Sequence, residues 1–68
     1  MATLNYNKIA SILLNEHVPI TLVKLSVISD MPMVETKEIL DFFAAAGFLK
    51  NGNDYEKIEL SEKARSII

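Results

Sequence analysis

The sequence predicts a small, mostly helical α+β domain with the element order α-α-α-β-β-α. Three observations predict it. Apolar residues recur at helical spacing in three successive segments, Gly47 stands where the third would end, and Asn51-Gly52-Asn53-Asp54 separates two short stretches with strand character. A chain of 68 residues has room for one domain, expected here over 1–68.

The first helix is expected from about Leu4 to Asn15. Ile9, Ile12 and Leu13 share a face with Tyr6 and Ala10 beside them, while Leu4 and Leu14 project elsewhere. Pro19 lacks an N–H and favours an extended residue before it, so Asn15–Ile20 breaks the helix. Thr21 is an N-cap for a short second helix, about Leu22 to Ser29, with Leu22, Leu25 and Ile28 on its inner face. Ser29–Pro32 interrupts it, and Pro32 suits the first turn of a third helix that runs to about Ala46. Gly47 then supplies a left-handed residue. At 100° per residue, Thr36, Ile39, Leu40, Phe43 and Gly47 point inward. Val34, Glu38, Asp41 and Ala45 point outward, with Glu35, Lys37 and Phe42 at the borders. Two strands are expected at Phe48–Lys50 and Tyr55–Leu60, the second alternating Ile58 and Leu60 against Tyr55, Lys57 and Glu59. Ser61 caps a closing helix that offers Ala64, Ile67 and Ile68 for packing.

Composition narrows the function. There is no cysteine, so disulfides and thiolate metal sites are excluded, and the one histidine, His17, cannot hold a metal alone. No serine stands with a plausible base, no glycine-rich phosphate loop is present, and the carboxylates fall on helix surfaces and the hairpin. Neither catalysis nor a cofactor is expected. No apolar run approaches the ~20 residues that span a membrane, and no signal peptide is visible, so a cytoplasmic location is the expectation. His17 is read as an exposed loop residue, and Tyr6 and Tyr55 as packing residues. The net charge of −2 counts against a general nucleic-acid coat but not against a local binding patch.

Leu25-Ser26, Ile28 and the Ser29–Met33 turn, with Ile39-Leu40, Phe43 and Ala46-Gly47-Phe48-Leu49 beyond them, resemble the winged helix-turn-helix superfamily of transcriptional regulators. Ile58-Glu59-Leu60-Ser61-Glu62-Lys63-Ala64-Arg65 resembles that family's second wing strand and closing helix, with Ala64 where many relatives carry glycine. The resemblance implies a two-stranded wing over 48–60 and a third helix that lies in the major groove of double-stranded DNA. It would place Val34, Glu35, Lys37 and Glu38 near base edges and Lys24, Lys50 and Lys57 at phosphates, and it implies a homodimer. Leu4, Leu14, Ile67 and Ile68 either pack on one another or form the two-fold seam, and the seam is preferred.

The charges of the third helix oppose the DNA reading. Lys37 stands alone against Glu35, Glu38 and Asp41. Base contacts favour Arg, Lys, Asn and Gln, and carboxylates beside phosphates are repelled. The alternative is a protein-interaction module using the acidic, partly apolar face of the same helix, with Asp41, Phe42 and Ala45 in the interface. An outward Phe42 is the main support of that alternative, which loses it if Phe42 is buried against the first or second helix.

Overall fold

The protein's computed structural model describes the backbone of residues 3–67 and the side chains of residues 5–67. Four helices form: α1 (Thr3–Asn15), α2 (Leu22–Ser29), α3 (Met33–Ala45) and α4 (Glu62–Ile67). The first three pack on one another around a single cluster in which Ile9, Leu13, Leu25, Ile39, Leu40 and Ala64 are sealed from solvent. Among the described residues no helix is long and apolar enough to cross a membrane.

Local chemistry sets the helix ends. Thr21 Oγ1 accepts the Lys24 N–H at 3.2 Å, satisfying one of the donors that open α2. At its other end Asp30 adopts a left-handed conformation (φ 56°, ψ 44°). The Asp30 N–H donates to Val27 O and the Met31 N–H to Ser26 O, both at 3.2 Å, so the last carbonyls of α2 are paired within the turn. Ser26 Oγ adds a 2.6 Å bond to Met31 O. Pro32 precedes α3 without a side-chain cap, and its carbonyl accepts both the N–H and the hydroxyl of Thr36, each at 3.0 Å. Gly47, at φ +80°, closes α3. Its N–H donates to Ala44 O and the Phe48 N–H to Phe43 O, while the Phe43 and Phe48 rings meet edge-on at 6.1 Å. That ring contact is the hydrophobic closure such turns carry.

The expected α+β class is not what forms. Among the described residues there is no strand and hence no two-stranded wing; the domain is helical, with an irregular segment between α3 and α4. Leu49 pairs with Leu60 in one isolated antiparallel bridge, and Ile20 with Ile58 in another. The cause is divided pairing. Tyr55–Leu60 shares its bonds between two different segments, so neither contact extends into a ladder. Tyr55–Lys57 is also curled, since the Glu56 N–H donates to Asp54 Oδ1 and the Lys57 N–H to Asp54 O. The Tyr55 carbonyl instead accepts the first N–H of α2, that of Leu22, at 2.8 Å. Alternation still decides burial: Ile58 and Leu60 are buried and Glu59 is half-buried.

Two inward assignments are also corrected. In α2 the inner face is Leu22, Leu25 and Ser29, whereas Ile28 is 44% exposed. Ile28 lies some 120° round the helix from Leu22, while Ser29 falls between Leu22 and Leu25. Gly47 is exposed, because the chain has already left the helix axis there.

Candidate functional site

The faces of α3 follow its phase. Thr36, Ile39, Leu40 and Phe43 are buried, and Val34, Glu38, Asp41 and Ala45 are exposed. One border leans on α1: Asn5 Nδ2 donates to Glu35 Oε1 at 3.2 Å, and the Phe42 ring meets Tyr6 edge-on at 5.2 Å. The other border leans on the segment before α4. The Tyr55 hydroxyl donates to Asp41, and Lys37 Nζ stands 5.2 Å from the centre of the Tyr55 ring. The hydrogen bond to Asp41, then burial, then the Asp41 charge hold the Tyr55 phenol above its ordinary 10.0.

This arrangement engages some of the residues assigned to DNA and leaves others exposed. Val34 is 73% exposed and Glu38 is exposed, but Glu35 is half-buried and engaged by Asn5. Lys37 lies over Tyr55, four residues from Asp41, so its charge is offset locally. Lys50 Nζ is 4.0 Å from Glu59 Oε1, in the one ion pair among the described residues. Lys24 and Lys57 are exposed. The ridge that would enter a groove is left with two carboxylates, a valine and an alanine.

Beside the Tyr6–Phe42 border, α1 and the end of α3 enclose an open apolar groove of about 350 Å³. Tyr6, Ala10 and Leu14 form its α1 wall, with Asn7 and Ser11 at the rim; Phe42, Phe43, Phe48 and Leu60 form the rest. From Tyr6 to Leu14 the α1 wall runs about 12 Å at 1.5 Å per residue. Phe42 is 54% exposed although it stands against Tyr6, so its outer face is open to solvent. Leu14, read as projecting away from the core, is half-buried in this wall. Among the described residues no buried polar side-chain atom lacks a partner and no cluster of metal-ligating side chains forms.

The groove escapes a reading of the sequence, because its walls come from separate segments that periodicity does not bring together. The one local signal was a phenylalanine, Phe42, placed at the border of its helix face. Of the other residues assigned to an interface, Ala45 and Asp41 lie on the exposed ridge and Ile67 is 65% exposed. The Leu4 side chain and Ile68 lie outside the described residues.

In comparisons with known proteins, no family model, curated sequence or solved structure matches the chain.

Proposed function

We propose that this chain is a protein-docking module that receives a helical segment of another protein in the groove between α1 and the end of α3. The exposure of Phe42 carries the reading. A half-open aromatic ring at the wall of an apolar groove, on so small a domain, is costly in water and is relieved when a partner covers it. The groove has the volume of a small binding cleft, but among the described residues its lining is mostly apolar, with Asn7 and Ser11 exposed at the rim rather than buried polar groups that converge on a small molecule. Its two-turn length instead fits the i and i+4 side chains of an amphipathic helix.

The test uses a neutral helical peptide with two leucines four residues apart, followed by amide chemical-shift mapping. Saturable shifts at Tyr6, Ala10, Leu14 and Phe48 are expected, and they disappear in Phe42→Gln while the far-UV circular dichroism is retained. Absence of saturable shifts at those residues overturns the reading.

A second reading, DNA binding, is favoured by one observation. The tight Asp30–Pro32 connection sets α3 directly after α2 and leaves the α3 ridge uncovered, with Val34 in its first turn. Val34, Lys37 and Glu38 would then face base edges and Lys24 and Lys57 phosphates, a valine being suited to a thymine methyl. With only Lys24 and Lys57 placed at phosphates, affinity would fall only gently with salt. Titration with random duplex at low and moderate salt decides it. Binding that weakens in Lys37→Ala supports this reading, and no binding at low salt removes it.

A further inference from the structure

Two cations stand at one end of the groove, and they specify its occupant further. At the Leu14–Phe48 end stand two cations. Lys63 Nζ lies 5.8 Å from the centre of the Phe48 ring and donates to Ala46 O at 3.1 Å. The Arg65 guanidinium reaches across from α4 to the end of α1, donating to Glu16 O at 3.0 Å and Leu14 O at 3.4 Å. The hydrogen bonds of both cations go to backbone carbonyls, and neither makes an ion pair among the described residues. Lys63 is exposed and Arg65 half-buried, so neither charge is sealed from a ligand. At the opposite end Phe42 stands one helical turn from the exposed Glu38.

Resting on the docking reading above, we propose that the partner is an acidic amphipathic helix. Its two aliphatic anchors enter the groove, and carboxylates at one end lie against Lys63 and Arg65. The cations remain on their carbonyl oxygens and gain an opposite charge from the partner, so neither has to be desolvated alone. Acidic residues at the C-terminal end of the partner helix would place its negative pole beside them too. The same polarity disfavours a basic helix, whose charges would meet Lys63 and Arg65 directly.

Three peptides with the same leucine anchors but acidic, neutral or basic ends separate the possibilities, their affinities being measured by amide-shift titration at low and high salt. The acidic peptide is expected to bind about tenfold more tightly than the neutral one at low salt, as two rim pairs allow. The gap should narrow as salt rises. Lys63→Glu should lower the ratio of acidic-peptide to neutral-peptide affinity toward one or below it. Arg65→Gln is not needed as a test, because Arg65 also ties α4 to α1. If the acidic peptide binds no better than the neutral or basic one, the charge assignment is overturned while docking stands. If no peptide binds, the docking reading fails and this inference with it. If the unliganded protein self-associates with shifts at the same groove residues, a second copy is the occupant and the proposal is overturned.

Discussion

Removing one hydroxyl from each of two neighbouring sites should give opposite results, because the carbonyl left behind is orphaned in one case only. Ser26 Oγ donates to Met31 O at 2.6 Å, inside a turn where Met31 is buried. No other donor reaches that carbonyl among the described residues, so Ser26→Ala leaves a part-buried acceptor without its donor, at a cost of about 1–3 kcal/mol. Alanine's better helix propensity returns about 0.5 kcal/mol, for a net loss of about 1–2 kcal/mol. Thr36 is fully buried, and its hydroxyl donates to Pro32 O, which also accepts the Thr36 N–H. Thr36→Val keeps the shape and leaves Pro32 O paired, so stability should stay within about 0.5 kcal/mol of the parent or rise slightly. A domain of this length holds roughly 3–10 kcal/mol in all. Ser26→Ala should therefore lower Tm by on the order of 10 °C. In urea, with m near about 1 kcal/mol/M, it should lower the midpoint by about 1–2 M. Thermal and urea unfolding followed by circular dichroism measure both variants. If Thr36→Val loses as much as Ser26→Ala, the assignment of partners around the α2–α3 turn is wrong.

Three further substitutions, one of them read by titration, test the turns and the α3 ridge. Gly47→Ala should destabilise by about 1 kcal/mol for its positive φ alone, since a methyl there meets Lys63 at 3.5 Å, an ordinary contact. Asp30→Gly, in the corresponding left-handed position after α2, should be neutral or slightly stabilising, and a loss comparable to that of Gly47→Ala would count against the shared turn geometry. Tyr55 titrates above 10.0 in the folded protein, so its contribution to stability is fully present below that pH and is lost as pH rises through the folded value. Asp41→Asn should lower the tyrosinate midpoint read by ultraviolet absorbance, and an unmoved midpoint would remove the Tyr55–Asp41 bond from the ridge.

Where a structural decision is made within one turn of chain, the residues announce it. Thr21 before Leu22, Pro32 before Met33 and Gly47 after Ala46 each act on backbone groups three or four residues away, and the ends of α2 and α3 fall where those residues place them. The exposed and buried faces of α3 follow from phase alone for the same reason. The failures share a different cause: each depends on a partner distant in sequence. Ile58 and Leu60 alternate as a strand would, but a strand needs one neighbour along its length, and theirs are two, Ile20 and Leu49. Ile28 is apolar and Ser29 is not, yet Ser29 is the residue whose phase faces the core, and its hydroxyl is satisfied by Ser26 O at 3.3 Å. Hydrophobicity outvoted geometry in that reading, wrongly, because a small hydroxyl with a local acceptor costs little to bury. The groove belongs to the same class. Phe42 alone stands out in the sequence, as an aromatic at the border of its helix face, whereas Tyr6 and Phe48 read as ordinary residues of their own segments, and the groove exists only where the three meet in space. Charge counted along α3 speaks against DNA without marking any other surface, and the groove exists only once α1, the end of α3 and the segment before α4 have met.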